Sequence, residues 1–152
     1  MPQRYYYCCS LPLEPGSVIK PGNWGRILKK YTPQTSPNPW LFVRELVFES
    51  VRREAYPHKP NRFDAIFLCL TENDLIEFRD TNNRRLDIAY EIEVMDETAP
   101  SHIGDLSLAN MANTDDYHVF ENRARLYWQG ENIVKQELIT AIPIRIIRLI
   151  NR

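Results

Sequence analysis

Pairs of glutamates are the first residues in this sequence whose type and spacing suit chemistry. Glu91 and Glu93 alternate with apolar residues, so on a strand their side chains share one face, roughly 7 Å apart. Two carboxylates at that separation can divide the roles of general acid and general base. Two such glutamates can also simply form a solvated sheet face, and this second interpretation is favoured. Glu131 and Glu137 precede the last apolar segment, where a carboxylate can enter a cleft at a sheet edge.

Aromatic side chains are the second set of candidates, because several fall outside any regular helix or strand stripe. Rings on proline-rich loops can stack on a planar ligand. They can also fill the gap between a long loop and a small sheet, and this second interpretation is favoured. The set comprises Tyr5, Tyr6, Tyr7, Trp24, Tyr31, Trp40, Tyr127 and Trp128.

Metal-binding and nucleotide-binding motifs are missing from the sequence. His58, His102 and His118 are far apart and have no metal-ligand spacing. Cys8 and Cys9 are adjacent, so on a strand they point to opposite faces and cannot easily share one metal. We therefore predict no metal cofactor. No glycine-rich phosphate loop or nucleophile elbow is present either.

Net charge limits the classes of partner. The 152 residues include 19 Lys and Arg against 20 Asp and Glu, a net charge of -1, which supplies no general basic field and argues against a nucleic-acid partner. Two groups of arginines adjoin or interrupt apolar segments, and we interpret them as solvated strand edges: Arg84 and Arg85, and Arg145, Arg148 and Arg152.

The sequence also contains no apolar run of 18 residues and no signal-peptide pattern at its start, and its three cysteines form no disulfide framework. These features predict a cytoplasmic protein without a membrane partner.

Proline placement divides the chain. Nine of the 11 prolines fall within the first 60 residues, which excludes a long helix or a central strand there and predicts mostly ordered loop, with one short helical turn near 24–31. Asn38 followed by Pro39 is a helix start, and Phe42, Val43, Leu46, Val47 and Val51 recur at helical spacing, which predicts helix 39–55 with these residues on its buried side.

Hydrophobic patterns place the remaining elements. We predict strands at 4–10, 63–70, 86–94 and 142–150, helices at 72–79 and between an Asp115-Asp116 cap and Gly130, and a short helix within 101–112. This order predicts a single α+β domain spanning residues 1–152.

The chain resembles ADP-ribosyltransferase-fold proteins near the rifampicin ADP-ribosyltransferases. The resemblance rests on the aromatic strand 5–9 followed by the Pro-Gly loop 13–22, on strand 64–69 leading into helix 72–79, and on strand 89–94. The segments Tyr127-Trp128-Gln129-Gly130 and 142–147 resemble the tail of an uncharacterised bacterial family with the same fold. The resemblance implies a split sheet with flanking helices and a proline-rich N-terminal loop region, with NAD as substrate.

Positions of the family's motifs carry over onto four residues, and an arginine near them is a further candidate. The first-strand His that holds a ribose of NAD falls on Tyr7, and the small polar residue two positions later falls on Cys9. The Tyr that stacks on nicotinamide falls on Phe67. The acid that supports the oxocarbenium-like transition state falls on Glu137, with Glu131 as the alternative. Arg62, or else Arg26, would clamp the pyrophosphate.

Two functions follow from the resemblance. One is an NAD- or nucleotide-binding protein that transfers ADP-ribose from NAD to an unknown acceptor. The alternative is a non-catalytic interaction module, because Tyr7 and Phe67 depart from the family's His and Tyr.

Overall fold

A computed structural model describes residues 2–150 of the chain. Within this range it contains four α-helices and two antiparallel sheets, which confirms the predicted α+β class. The helices are α1 (Asn23–Lys30), α2 (Pro39–Ala55), α3 (Glu72–Thr81) and α4 (Tyr117–Gln129). The strands are β1 (Arg4–Cys9), β2 (Val18–Ile19), β3 (Ile66–Leu68), β4 (Ile88–Val94), β5 (Ser101–Asp105), β6 (Gln136–Thr140) and β7 (Ile144–Ile150).

The strands form two separate sheets that face each other. One sheet has the order β1-β4-β7-β2 and the other has the order β3-β6-β5. A backbone bridge joins them, in which the amides of Tyr6 and Cys69 each donate to the other's carbonyl at 2.9 Å. Apolar residues of both sheets pack in one core cluster: Ile66, Leu68, Tyr90, Ile92, Val94, Leu138, Ile144 and Ile146.

Local capping chemistry explains why the helices begin where predicted. The Asn38 side chain accepts a hydrogen bond from the amide of Trp40 at 3.0 Å, and Pro39 occupies the first helical position. The Asp116 side chain likewise accepts from Val119 at 3.1 Å, and Gly130 ends α4 in the left-handed conformation. Helices 39–55 and 117–129 therefore match their predicted positions.

Several predicted regions differ from the structure. Predicted strand 63–70 is limited to β3, because Arg62–Asp64 forms a 3-10 turn before it, and the short strand β2 lies in the predicted loop region. Segment 101–112 was expected to hold only a short helix, but it forms β5 followed by a 3-10 turn, Leu106–Ala109. Strand β6 was not predicted, and the single helical turn near 24–31 is the eight-residue helix α1. β5 and β6 form because they pair with each other, with Gly104 opposite Glu137, and such non-local pairing leaves little trace in sequence.

The buried side of α2 also differs from its prediction. Leu46 is 47% exposed, whereas Glu45, Phe48 and Glu49 are buried. Phe48 packs in the core cluster between α2 and α4. Val47 and Val51 are buried as predicted and Val43 packs against the core, so the prediction is wrong at Leu46 alone. It also misses Glu45 and Glu49, because acidic residues at these positions resemble a solvent-facing stripe.

The strand glutamates belong to a charged sheet face, as favoured above. Glu91 pairs with Arg148 at 2.7 Å, and Glu93 pairs with Arg145 and Arg4 at 3.0 Å each. These pairings agree with the interpretation of Arg145 and Arg148 as solvated strand edges, while Arg152 lies outside the described residues. Arg84 and Arg85 lie instead in the turn before β4, so for them the interpretation as strand residues is wrong. Within residues 2–150, no helix combines the length and apolar character needed to cross a membrane.

His102 makes stability depend on pH. Its Nε2 donates to the carbonyl of Tyr127 at 2.7 Å. Burial, assisted by the charges of Lys59 and Arg62, lowers the pKa of His102 to about 4. Because the unfolded chain takes up this proton near pH 6.5 and the folded chain does not, stability present above pH 6.5 is lost as pH falls towards 4. We expect a loss of about 2–3 kcal/mol from this group.

Urea unfolding of wild type and His102→Gln at about pH 7 and about pH 4 checks this expectation, because glutamine keeps an N–H donor and does not titrate. The wild type should lose more stability between the two pH values than the variant. Equal losses in the two proteins would contradict the assignment.

Candidate functional site

A cleft in two connected compartments lies beside β1, β3, α1 and α3. Their volumes are about 320 and 550 Å³, within the range of small-molecule sites. The first compartment is lined mainly by apolar side chains from α1, β3 and α3, and the second has charged side chains of both signs. Residues that line both are Trp24, Phe67, Cys69, Phe78, Arg84, Leu106, Gln136 and Glu137.

The cleft brings together four of the five candidate site residues predicted from the sequence. Tyr7, Phe67 and Glu137 line the first compartment, and Arg62 lines the second beside Phe67 and Glu137. Cys9 is not among the lining residues of either compartment, and its Sγ instead contacts the carbonyl of Leu11 at 3.7 Å. Its neighbour Cys8 lines the first compartment.

Glu137 is anchored through one carboxylate oxygen. Its Oε2 accepts hydrogen bonds from the Tyr127 hydroxyl at 2.8 Å and from Arg62 Nη1 at 3.0 Å. Oε1 receives no hydrogen bond from residues 2–150. It is also not among the fully buried polar atoms that lack a partner, so it is accessible. Glu137 is only 7% exposed, so its accessible part faces the cleft that it lines. This arrangement leaves Oε1 available to a ligand.

Tyr127 serves the site as a buried hydrogen-bond donor. The residue lies on α4 and is fully buried. Burial, together with the negative charge of Glu137, raises the pKa of Tyr127 well above its usual value. The hydroxyl therefore stays protonated, donates to Glu137, and accepts from Arg62 Nη1 at 2.9 Å.

Arg62 connects Glu137 to a second buried carboxylate, Glu45. Arg62 Nε donates to Glu45 Oε2 at 2.8 Å, and Nη2 donates to Glu45 Oε1 at 2.9 Å. With the contacts to Tyr127 and Glu137, four of its five N–H donors are occupied. These contacts fit a positioning role better than the predicted clamp on a pyrophosphate. Arg26, the alternative, binds Asn23 and lines neither compartment.

Glu45 stays ionised in this network. Burial disfavours its charge, but the cations of Arg62 and Arg44 prevail and lower the pKa of Glu45 to about 2. Its Oε1 also accepts from Trp24 Nε1 at 3.2 Å. Because Trp24 lines both compartments, Glu45 supports a wall of the cleft as well as the arginine.

Tyr7 and Phe67 present their rings to the first compartment. Burial raises the pKa of Tyr7 to about 12, so its hydroxyl is a neutral donor at ordinary pH. The Arg62 guanidinium carbon lies 4.9 Å from the centre of the Phe67 ring. Arg62 thus packs against Phe67, which also lines both compartments.

Two exposed cations lie along the cleft and are better placed for an anionic ligand than Arg62. Lys20 lines the first compartment and forms no ion pair with residues 2–150. Arg84 lines both compartments, pairs with Asp87 at 2.7 Å and lies over Phe78. Lys20 belongs to the proline-rich loop, so the end of that loop, with Gly22, forms part of the site.

Glu45 and Tyr127 are the site residues that sequence reasoning missed. In the sequence, Glu45 looks like a surface glutamate in a charged helix, and Tyr127 is one aromatic residue among many. A signal for Glu45 was its place inside the apolar stripe of α2, where an unpaired carboxylate is costly and implies a buried cation. Within residues 2–150, no group of three or more metal-ligating side chains converges.

The fold and cleft define an α+β protein in which the anchored carboxylate of Glu137 lies between a largely apolar compartment and a charged one. Residues 21–152 match the family described as "Protein of unknown function (DUF2441)", so the chain belongs to this family. Comparison with curated proteins gives no match.

Proposed function

We propose that this protein binds NAD or a related nucleotide in the cleft and transfers ADP-ribose from NAD to an acceptor. The observation that carries the proposal is Glu137, whose Oε2 is anchored while Oε1 remains available beside Tyr7 and Phe67. The resemblance to ADP-ribosyltransferase-fold proteins implies the same three positions. The two-sheet fold agrees with that resemblance.

The cleft suits a dinucleotide in both shape and charge. Trp24, Phe67 and Phe78 offer apolar surface to planar rings. Lys20 and Arg84 supply positive charge for a diphosphate. The neutral hydroxyl of Tyr7 can donate to a ribose oxygen, in the place where the family uses histidine.

The reaction asks little of the protein beyond one negative charge. The bond between the nicotinamide nitrogen and the ribose C1 breaks, and nicotinamide leaves as a neutral molecule. A nucleophile forms a new bond to C1 and gives its proton to solvent. Positive charge develops on the ribose between these events, and the Glu137 carboxylate stabilises it.

The protein is placed in the cytoplasm under this proposal. Cys8, Cys9 and Cys69 are all free thiols, as expected in a reducing compartment. Burial raises the pKa of Cys69 to about 12. It therefore lines the cleft as a thiol and not as a nucleophilic thiolate.

Release of nicotinamide from NAD tests the proposal. Wild type should release nicotinamide, and Glu137→Gln should reduce kcat about 100–1,000-fold because the amide carries no negative charge. Glu131→Gln is the matched control, since Glu131 is exposed and lines neither compartment. Its rate should equal that of wild type.

The same experiment separates the two functional interpretations. Wild-type release above the Glu137→Gln background eliminates the non-catalytic interaction module. If wild type releases no nicotinamide and calorimetry shows no binding of an unreactive NAD analogue, the proposed function is wrong. Binding without release would leave only the nucleotide-binding part of the proposal standing.

A further inference from the structure

We infer that Glu45 and Arg62 are positioning residues that keep Oε1 of Glu137 open to substrate. The inference rests on the proposed function, because it assigns these residues a role in the reaction ascribed to Glu137. In this role neither residue contacts the substrate. Both act through the carboxylate of Glu137.

Two carboxylates, those of Glu45 and Glu137, compete for one guanidinium. Arg62 lies between the carboxylates of Glu45 and Glu137, and all three residues are at least 93% buried. Glu45 takes Nε and Nη2 in a bidentate pair, which leaves Nη1 as the only arginine nitrogen bound to Glu137. An arginine free of Glu45 could instead bind both oxygens of Glu137. Glu45 therefore limits Glu137 to one contact with Arg62.

Three aromatic rings surround the Arg62 guanidinium. Its guanidinium carbon lies 4.9, 5.0 and 5.5 Å from the ring centres of Phe67, Tyr127 and Phe48. These rings keep the guanidinium between the two carboxylates, and its hydrogen bonds to Glu45 and Glu137 set the direction of its nitrogens. The Tyr127 hydroxyl holds the same oxygen of Glu137 that Arg62 holds. Both donors thus engage Oε2, and Oε1 is left for the substrate.

A second buried glutamate on α2 allows this positioning role to be distinguished from structural support alone. Helix α2 carries a second buried glutamate, Glu49, which is 7% exposed and binds Arg52 and Arg53. Glu49 contacts none of the cleft network. Glu45 and Glu49 therefore share a helix, burial and pairing with two arginines, and differ in their connection to Glu137.

Glu45→Gln tests the inference, with Glu49→Gln as the matched control. Glutamine keeps one acceptor for Arg62 but loses the charge, so we expect the guanidinium to turn and occupy Oε1 of Glu137. kcat for nicotinamide release should fall about 10–100-fold, as for a reacting group displaced by about 1 Å. KM and the affinity for an unreactive NAD analogue should change less than about twofold, because the residues that hold the nucleotide are retained.

Crystal structures of the two variants provide a readout that does not depend on activity. Glu45→Gln should show Arg62 bound to both oxygens of Glu137, whereas Glu49→Gln should keep the present arrangement. If Glu45→Gln does not fold, Arg62→Lys serves instead, since an ammonium cannot form the planar double pair with Glu45. It should lower kcat with little change in analogue affinity.

The inference is overturned if Glu45→Gln leaves Oε1 of Glu137 unbound by Arg62, or if it and Glu49→Gln have equal kcat in an active protein. Failure of the proposed function gives a different result. In that case wild type releases no nicotinamide, while the crystal structures still decide whether Glu45 controls the Glu137 carboxylate.

Discussion

Arg62→Met should lower the free energy of unfolding by about 3–5 kcal/mol, the cost typical of removing one partner from a buried ion pair. The substitution leaves the carboxylates of Glu45 and Glu137 in the interior without the cation that joins them. Methionine fills much of the same volume, so lost packing contributes little. Urea denaturation followed by tryptophan fluorescence measures the change.

An exposed arginine and a double variant complete this test. Arg53 pairs with Glu49, but its side chain is 74% exposed, so Arg53→Met should change stability by less than about 0.5 kcal/mol. Adding Glu45→Gln to Arg62→Met should restore part of the loss, because one uncompensated charge is removed. Stability of Arg62→Met within about 1 kcal/mol of wild type would show that the buried pair is not needed.

Local chemistry explains which elements the sequence predicts. Helix α2 is predicted to the residue because Asn38 and Pro39 act on their own neighbours, and α4 is predicted because Asp116 and Gly130 do the same. Strands β5 and β6 depend on each other, and β2 depends on β7. Such pairings join residues distant in sequence, which a pattern within one segment does not record.

The site follows the same division between local and distant information. Tyr7, Phe67 and Glu137 were selected through a family resemblance, and the fold places them along one cleft. The position of Cys9 outside that cleft did not follow from its motif. Glu45 lies 17 residues before Arg62, so their pairing becomes visible only when α2 packs against the 3-10 turn Arg62–Asp64.

Gly25→Ala should destabilise the protein by about 3 kcal/mol, because α1 lies against backbone at this residue. A Cβ on Gly25 would lie 2.0 Å from the carbonyl oxygen of Phe63 and 2.7 Å from its Cα. Backbone atoms cannot rotate away as a side chain can, so α1 must shift and carry Trp24 away from Glu45. The clash outweighs the gain of about 1 kcal/mol that alanine brings to a helix.

Gly16→Ala distinguishes this clash from the general cost of replacing a glycine. Gly16 has a φ of +91° but no atom within 4 Å of the added Cβ, so its substitution should cost only about 1 kcal/mol of backbone strain. Urea denaturation gives both values, and tryptophan fluorescence of the folded proteins should change for Gly25→Ala alone because Trp24 moves. Equal stability of the two variants would mean that α1 can yield to the extra methyl group. In that case the contact at Phe63 would not fix the position of Trp24, and the wall of the cleft would be held by the Trp24–Glu45 hydrogen bond instead.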